Sequence, residues 1–463
     1  MIRTTLLAAL AATALLASDA SAQIAKTIEG RVLFHDIDFD MSGNLPGLVK
    51  RPARRCIVEL ALLAPLFPTY AFTETDEDGN FSLPYAHFPV NSYQLRVLPQ
   101  SDSRGIEVLG WATVVEPFIG SVATTFDVGT KEIGIFDDPG GGGRKGSPFG
   151  ILDELIDAVE FTYDTIPFVQ EPKLVPPLLV SWPNPDGDVS FASGTTLIVM
   201  GNDDGLDDTV VQHEFGHIAT NRFSKSDSPG GPHSLCDEAQ HSALAWGEGV
   251  ATFLGSNVRK WQGHADPGIY VDTDGTDAIG NATFSYRLED ATNASGGIWC
   301  NGGPFGFRSE LAVQLALWDL SDAVGDNPLD PTNDDDLFDG SLLVDGVDPL
   351  DAFWNVFSQY LPSSSVGGVD MRDFWDGWWQ QGFFGSGLEV DAFLSAMDPW
   401  MERELTVGAF IGFDHYSTVA AALADAPPGA VLRITPGSYP ATLVHDRRLS
   451  IEIVGGASVI LGP

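Results

Sequence analysis

Short runs in which apolar and polar residues alternate dominate the first part of the chain. Alternation with a period of two residues predicts half-buried β-strands, and turn residues separate these runs between residues 23 and 136. The runs are Thr27–Phe34, Ile57–Leu63, Ala71–Thr75, Gly79–Leu83, Tyr93–Leu98 and Thr113–Phe118. The turn Asp76-Glu77-Asp78-Gly79 lies between two of them and predicts a hairpin. This part of the chain is therefore predicted to be all-β.

Helical periodicity replaces the alternation between residues 149 and 408. The segments with apolar residues every three or four positions are Gly150–Thr165, about Asp237–Lys260, Glu310–Leu320, Pro349–Tyr360, Met371–Gln381 and Glu389–Met397. Two short apolar runs, Leu178–Trp182 and Thr195–Met200, predict strands of one sheet. The tryptophans of the later helices, Trp354 and Trp378 among them, are typical of a helical core. A β part followed by a mixed part predicts a multidomain α+β protein.

Two changes in composition divide the chain further. Residues 137–148 contain four consecutive glycines and predict a flexible linker. After residue 408 a short amphipathic helix from His415 to Ala426 precedes two strand-like runs. The predicted organisation is a signal peptide at 1–22, a β-sandwich at 23–136, a linker at 137–148, a mixed α and β domain at 149–408, and a partial parallel β-helix coil at 409–463.

The N-terminus has the three parts of a secretory signal peptide. Arg3 precedes the apolar run Leu6–Leu16, and small residues end the segment at Ala22. The apolar run is too short to span a membrane, and no other stretch is predicted to be transmembrane. We therefore expect a secreted protein, either extracellular or periplasmic. In an oxidising compartment Cys236 and Cys300 can pair, and three buried free thiols are the alternative.

The chain is strongly acidic, with 64 Asp and Glu against 24 Lys and Arg and a net charge of −40. This charge excludes nucleic acids and anionic membranes as partners and favours cationic peptides or divalent ions. Aspartates cluster in Asp272–Asp277 and Asn333–Asp336, and Asp36, Asp38 and Asp40 lie just before a predicted hairpin end. Such clusters are candidate Ca²⁺ sites, because calcium prefers carboxylate oxygens. A solvated acidic surface is the alternative for each cluster.

The stretch His213-Glu214-Phe215-Gly216-His217 contains an HExxH motif. On an α-helix, residues four apart lie on the same face, so both imidazoles can bind one Zn²⁺. Glu214 is then placed to act as general base on the water that zinc activates. A strand and a loop precede the motif, and Gly216 permits close approach to the metal or to a neighbouring backbone. The alternative is a surface helix that carries two solvated histidines.

A third zinc ligand is predicted in the stretch Trp246-Gly247-Glu248-Gly249-Val250-Ala251. Glu248 lies 31 residues after His217 on another predicted helix. Together with HExxH, this stretch resembles the gluzincin clan of zinc metallopeptidases, in particular the thermolysin and fungalysin branches. The resemblance implies a zincin fold at 149–408, zinc ligands His213, His217 and Glu248, and hydrolysis of peptide bonds in peptide or protein substrates. An extended substrate is expected to pair with an edge strand, either Val189–Phe191 or Thr196–Met200.

The chain departs from the gluzincin pattern at two positions. Position 252 is threonine, where the family places an aspartate that orients a zinc-bound histidine. No histidine is present in the stretch 298–303, where the family carries one that stabilises the oxyanion. Tyr270, Tyr286 and Arg308 are the candidates to replace it.

Position 252 favours the alternative of a catalytically weak or inactive zincin-fold binding protein. An aminopeptidase instead of an endopeptidase is a further alternative, because Asp203 and Asp204 lie just beyond the strand Thr196–Met200 and an acidic group there can bind a substrate N-terminus.

Two further segments resemble known modules. The run from Gly30 through Arg54-Arg55 to the Asp76–Phe81 turn resembles the carboxypeptidase-regulatory, transthyretin-like β-sandwich. The stretch Pro428–Tyr439 and the strand-like runs after it resemble the opening coil of a pectin-lyase-like parallel β-helix. A single coil needs neighbouring coils to bury its apolar faces. Both modules are expected to accompany the enzyme without contributing to its chemistry.

Overall fold

The computed structural model describes most of the chain between residues 25 and 462. The described residues are 25–45, 47–62, 69–86, 92–111, 113–119, 125–137, 145–166, 173–187, 189–202, 204–235, 240–273, 282–288, 308–319, 321, 349–361, 368–381, 404–407, 415–416, 418–425, 431–435, 437–440, 450–453 and 459–462. The predicted signal peptide, the glycine run of the linker and the predicted helix Glu389–Met397 lie outside these residues. So do Cys236 and Cys300.

The described elements follow in chain order. The strands are β1 (Ala25–Asp36), β2 (Phe39–Asp40), β3 (Gly43–Asn44), β4 (Val49–Pro52), β5 (Ile57–Leu62), β6 (Thr69–Glu74), β7 (Asn80–Ala86), β8 (Ser92–Leu98), β9 (Gln100–Ser101), β10 (Ile106–Val108), β11 (Thr113–Ile119), β12 (Thr125–Ile133), β13 (Phe136–Asp137), β14 (Lys145–Gly146), β15 (Leu178–Ser181), β16 (Phe191–Ser193), β17 (Leu197–Val199), β18 (Ile269–Thr273), β19 (Ala282–Arg287), β20 (Glu404–Val407), β21 (His415–Tyr416), β22 (Val431–Ile434), β23 (Gly437–Pro440), β24 (Ser450–Ile453) and β25 (Val459–Gly462). The helices are α1 (Pro148–Thr165), α2 (Asp208–Phe223), α3 (Ser242–Gln262), α4 (Glu310–Asp319), α5 (Pro349–Asn355), α6 (Met371–Gln381) and α7 (Val419–Asp425), with a 3₁₀ turn at Asp204–Leu206 and a π-helical turn at Val356–Tyr360.

The chain forms two compact units, and their membership is discontinuous in sequence. The first unit contains Met1–His35, Lys50–Asp102 and Trp111–Gly134. The second contains Asp36–Val49 and Ser103–Gly110 in addition to everything from Ile135 onward. Two short segments within the predicted β-sandwich therefore belong to the second unit. The mixture of β-sheets and helices agrees with a multidomain α+β class.

Two sheets account for most of the described strands of the first unit. In one of them β1 pairs with β12 in parallel and with β7 in antiparallel orientation, and it also neighbours β4. The other is antiparallel and runs in the order β11-β8-β5-β6. Alternate residues of β7 are buried, namely Phe81, Leu83 and Tyr85, as the alternating pattern predicts. Val58 and Leu60 of β5 are fully buried in the same unit.

The turn between β6 and β7 is not the hairpin that the sequence predicts. Strand β6 pairs with β5, whereas β7 pairs with β1, so the turn leads from one sheet to the other. Asp76 orders the turn, since its carboxylate accepts hydrogen bonds from the backbone N–H groups of Asp78 and Asn80. Gly79 has φ +77, and a Cβ there would lie 2.3 Å from the carbonyl oxygen of Val32. The turn residues were recognised correctly, but turn chemistry does not specify which strands pair.

The second unit contains a small mixed sheet and a set of packed helices. The sheet runs in the order β16-β17-β15-β10, with β17, β15 and β10 parallel and β16 antiparallel at one end. Helix α2 follows this sheet and is buried on nearly every side, and α3 packs against it. Aromatic side chains from α3, α5 and α6 form a dense cluster in which Trp246, Phe353 and Trp378 are at most 1% exposed. This cluster agrees with the predicted helical core.

The last 60 residues contain short strands that pair in parallel. Strand β20 pairs with β21 and β22, β22 pairs with β24, and β23 pairs with β25. The helix predicted from His415 is shorter than expected, because His415–Tyr416 is extended and α7 begins at Val419. Among the described helices, none combines the length and the apolarity needed to cross a membrane.

Candidate metal centre

Two helices bring the predicted ligands together. His213 and His217 lie one turn apart on α2, and their Nε2 atoms are 3.2 Å from each other. Glu248 projects from α3, and its Oε2 lies 3.0 Å from Nε2 of His217 and 3.3 Å from Nε2 of His213. The three groups are largely buried and form a cluster that can hold a metal ion. HExxH therefore lies on a helix in the core of the second unit and not on a solvated surface.

A close contact between α2 and α3 makes this convergence possible. Gly216 lies between the two histidines, and a Cβ at its position would be 2.5 Å from the backbone oxygen of Ala251 on α3. Any side chain at this position would push the helices apart. Of the two interpretations offered for Gly216, the structure supports approach to a neighbouring backbone. The same contact places Glu248, one turn before Ala251, beside the histidines.

The donor atoms fit a first-row metal such as zinc. Two ligand atoms that are each about 2.1 Å from a tetrahedral ion lie about 3.4 Å apart. The three separations of 3.0, 3.2 and 3.3 Å approach this value. Two imidazole nitrogens and one carboxylate oxygen also form a ligand set that catalytic zinc uses, with a fourth position left open. The geometry fits zinc without identifying the metal.

The electrostatics of the cluster call for a positive charge at its centre. Burial disfavours a charged imidazole at His217, but the Glu248 carboxylate outweighs burial and raises the pKa of His217 to about 9. Burial opposes ionisation of Glu248 too, yet the two histidines hold its pKa far below the usual range. In the absence of an ion, a proton on His217 therefore balances the carboxylate. A metal ion would displace that proton, because imidazole binds metals in its neutral form.

Glu214 lies beside the cluster with a carboxylate oxygen that is not engaged. The residue is 5% exposed, and its Oε2 has no hydrogen-bond partner within the described part of the chain. Burial raises the pKa of Glu214, and the two neighbouring histidines oppose this rise through space. A buried carboxylate with a raised pKa and a free oxygen is suited to accept a proton.

Thr252 takes the place that the gluzincin pattern gives to an aspartate. Its Oγ1 lies 2.8 Å from Nδ1 of His213, which leaves Nε2 of that histidine directed at the ligand cluster. The hydroxyl also bonds to Tyr286, whose own O–H donates to Oε1 of Gln314 at 2.9 Å. All three of these residues are at most 3% exposed. A buried chain of neutral hydrogen bonds therefore orients His213 where a single carboxylate was expected.

His233 is a site residue that the sequence analysis missed. It lies in the loop between α2 and α3, with Nε2 3.6 Å from Oε2 of Glu248. Its Nδ1 lies 2.8 Å from Oε2 of Glu310, which is 5% exposed at the start of α4. The hydrogen bond to Glu310 raises the pKa of His233, and burial opposes this effect. No motif spacing signals the residue, because its partner follows 77 residues later.

The three oxyanion candidates named from the sequence differ in position. The ring of Tyr270 lies 6.0 Å from that of His213, so Tyr270 belongs to the surroundings of the site. Tyr286 stacks behind Tyr270, and its hydroxyl is directed at Thr252 and Gln314 and away from open space. Arg308 is exposed just before α4. The stretch 298–303, where a histidine was expected and not found, lies outside the described residues.

A second group of acidic residues lies near the first turn of α2. Asp204, Asp207 and Asp272 bring carboxylate oxygens within 4.8 Å of one another. Asp207 precedes α2 as its N-cap, but its carboxylate accepts hydrogen bonds from the backbone N–H and the hydroxyl of Thr273 and caps no helical N–H. Asp274, Asp277 and 333–336 lie outside the described residues. Asp36, Asp38 and Asp40 are described, but they are not among the groups of described residues whose ligand atoms converge.

The strand at one end of the mixed sheet is β16, which shares only Phe191 with the predicted segment Val189–Phe191. Strand β17 lies between β15 and β16, so β16 and not Thr196–Met200 occupies the end of the strand order. Arg222 and Asn221 at the end of α2 donate hydrogen bonds to the carbonyls of Thr195 and Gly194 in the β16–β17 turn. The helix that carries the ligands is thereby tied to the edge hairpin.

Comparisons with known proteins do not assign this chain to a family. No family model matches it, and no curated protein matches it. Among solved structures, it is similar to a 9R-lipoxygenase from Cyanothece PCC8801, with 15% identity and a TM-score of 0.17 over 32% of this chain and 25% of the lipoxygenase. It is also similar to the major plantain pollen allergen Pla l 1, with 17% identity and a TM-score of 0.15 over 24% of this chain and 93% of the allergen. The chain thus spans about a quarter of the lipoxygenase, and at these TM-scores neither likeness bears on fold or function.

Proposed function

We propose that this protein is a zinc-dependent hydrolase that cleaves peptide bonds. The observation that carries the proposal is the triangle of His213, His217 and Glu248 with the free carboxylate oxygen of Glu214 beside it. Structural zinc sites are closed by four protein ligands, whereas catalytic sites keep a position open. Three ligands and an adjacent unpaired base are therefore the arrangement that hydrolysis requires.

Each site residue has a separate task in this proposal. His213, His217 and Glu248 would hold the ion, which supplies Lewis-acid polarisation of the substrate carbonyl when bound. Glu214 accepts a proton from water at Oε2 as the water oxygen bonds to the carbonyl carbon. The same carboxylate then returns the proton to the amine nitrogen as the C–N bond breaks. The raised pKa of Glu214 suits both halves of this exchange.

His233 is the residue we assign to the developing negative charge on the substrate oxygen. Its ring is held at Nδ1 by the buried carboxylate of Glu310, so Nε2 has a defined direction. Nε2 lies beside Glu248, and the side chain is 36% exposed, so a substrate can reach it. A preorganised N–H donor is more effective than a mobile one because it needs no reorganisation during the reaction.

The surroundings of the site favour a peptide as substrate. The end strand β16 is tied to α2 and leaves one edge for pairing with an extended chain. Residues 137–408 contain 45 Asp and Glu against 11 Lys and Arg, so cationic peptides would be attracted.

We further propose that the second unit has a zincin fold of the gluzincin type, that the first is a transthyretin-like sandwich, and that the parallel strands after residue 403 begin a β-helix. Export through the N-terminal signal peptide belongs to the same proposal.

The proposal is tested with the Glu214→Gln variant of the full chain. The variant keeps all three ligands, so its zinc content should stay near that of the wild type, about one ion per chain. Its rate of casein cleavage should fall about a hundredfold or more, since general base catalysis contributes this much. Glu107→Gln on β10 is the matched control and should change neither quantity.

Two outcomes would contradict the proposal in different ways. Equal cleavage by Glu214→Gln and wild type would exclude Glu214 as the base. Zinc bound by both, with no cleavage of any peptide in a library, would favour the alternative of a zincin-fold binding protein. Mass spectrometry of the products distinguishes internal cleavage from removal of N-terminal residues.

A further inference from the structure

A cavity of about 440 Å³ lies in the second unit, apart from the metal centre. The β2–β3 hairpin, the end of α3 and the strands β18 and β19 contribute its walls, which include Phe39, Ser42, Arg259, His264, Asp266 and Arg287. Its volume is in the range of small-molecule binding sites. None of these side chains takes part in the proposed reaction.

Arg259 is the most unusual group in this cavity. The residue is only 4% exposed, and within the described part of the chain its Nε and Nη1 are buried without a hydrogen-bond acceptor. The ring of Phe39 covers the guanidinium at 4.6 Å. Arginine stays charged in proteins, so its N–H groups cannot be relieved by loss of a proton. Buried charged donors without acceptors are unfavourable, and native proteins seldom leave them so.

Three carboxylates near Arg259 favour its charged form, but within the described part of the chain its Nε and Nη1 have no hydrogen-bond acceptor. Burial lowers the pKa of Arg259, and Asp208, Glu154 and Asp266 oppose this through space. Asp266 forms an ion pair with Arg287, and Glu154 accepts a hydrogen bond from Gln212 at 2.6 Å. The cavity therefore combines nearly balanced charge with unused donors.

This combination selects a particular kind of ligand. A carboxylate has two oxygens that match the planar donors of a guanidinium. The acidic side chains at the cavity, Asp40 and Asp266, disfavour an anion with more than one charge, such as phosphate. Phe39 and Ile269 offer apolar surface to the rest of the ligand. We propose that the cavity binds a monocarboxylate with an apolar body, with Arg259 as the group that recognises the carboxylate.

The test compares three probes on the full-length protein by calorimetry at constant ionic strength. N-acetyl-leucine carries the carboxylate and an apolar body, N-acetyl-leucinamide lacks the charge, and inorganic phosphate carries more charge. We expect the acid to bind, and the amide and phosphate to bind about tenfold more weakly or not at all, because charge-assisted hydrogen bonds are about twice as strong as neutral ones. Equal binding of acid and amide, binding of none, or tighter binding of phosphate would overturn the proposal.

Variants locate the binding to Arg259. Arg259→Met keeps a side chain of similar length and should weaken binding of N-acetyl-leucine about tenfold or more. Lys260→Met is the matched control, since it removes one positive charge from the same helical turn, but the ammonium of Lys260 lies over the ring of Trp318 at 5.1 Å. An equal loss of affinity in both variants would mean that any nearby positive charge contributes to binding, and would contradict the proposal. Should Arg259→Met fail to fold, the contrast between acid and amide on the wild type decides by itself. The inference does not depend on peptidase activity.

Discussion

At the scale of single residues, spacing in the sequence predicts some residues of the metal centre and does not predict others. His213 and His217 are four apart on a helix, so the helix itself places them on one face. Glu248 was found from a second short pattern of the same kind. His233 meets Glu310 only because a loop and a helix start lie together in the folded chain. Contacts of this kind have no local periodicity, so the sequence offers no signal for them.

Thr252 leads to a prediction about metal affinity. Thr252→Val keeps the shape of the side chain but leaves the Nδ1–H of His213 buried without an acceptor. We expect the zinc affinity to fall about tenfold or more, as for other residues that orient metal ligands. Competition with a chromophoric chelator measures this change.

Thr252→Ser is the control for that experiment, because it keeps the hydroxyl and should bind zinc nearly as tightly as the wild type. If the valine variant binds zinc as well as the serine variant, the hydrogen-bond chain from His213 to Gln314 does not support the metal.

His233 leads to a prediction that separates catalysis from metal binding. His233→Ala removes a side chain that contacts Glu248 only at 3.6 Å, so zinc content should hardly change. If His233 stabilises the oxyanion, kcat/KM for a peptide should fall about a hundredfold. Glu310→Gln keeps a hydrogen-bond acceptor for the ring, so its kcat/KM should fall less than that of His233→Ala. A matching loss of zinc and activity in His233→Ala would instead indicate a ligand role.

At the scale of elements, the strands and helices that bury one face were the ones that the hydrophobic pattern predicted. The alternation of β7 and the periodicity of α1 were recognised because one face of each is buried. Strand β12 was missed, since most of its side chains are exposed and its pattern resembles a polar loop. Helix α2 is buried on nearly every side, so its HExxH motif and flanking turns predicted it better than amphipathicity did. Pairing partners, as at the β6–β7 turn, depend on contacts distant in sequence.

The α2–α3 contact leads to a prediction about stability. Alanine at position 216 would favour a helix by up to about 1 kcal/mol over glycine. Its Cβ would clash with the backbone of Ala251, however, and overpacking of this kind destabilises by about 1–3 kcal/mol. We therefore expect Gly216→Ala to lower both the free energy of unfolding and the zinc affinity, as measured by urea denaturation and chelator competition.

Gly150→Ala in α1 is the matched control for Gly216→Ala. Its Cβ would meet the side chain of Ser147 at 3.2 Å and no backbone of a second helix. Gly150→Ala should therefore change the free energy of unfolding less than Gly216→Ala does, and it should leave the zinc affinity unchanged. A Gly216→Ala variant as stable and as tightly metallated as this control would show that the helices can separate without loss.

At the scale of the whole molecule, the metal should stabilise one unit and not the other. All three ligands belong to the second unit. A ligand present at a thousand times its dissociation constant adds about 4 kcal/mol to the stability of the folded state. We expect a chelator to lower the unfolding temperature of the second unit and to leave that of the first unchanged, and calorimetry with and without added zinc measures both. In Glu248→Gln the chelator should have a smaller effect, and a uniform shift of both transitions would contradict the assignment.

The division of the second unit also has a consequence for the order of synthesis. Residues Asp36–Val49 leave the ribosome early, yet they belong to the same unit as α3 and β18, which are made more than 190 residues later. The β2–β3 hairpin therefore lacks its partners in the second unit when it is synthesised. The chain on both sides of it can already form the first unit at that stage. Folding of the second unit cannot be complete until synthesis has passed β19. The segment Asp36–Val49 is therefore synthesised early but is among the last to fold.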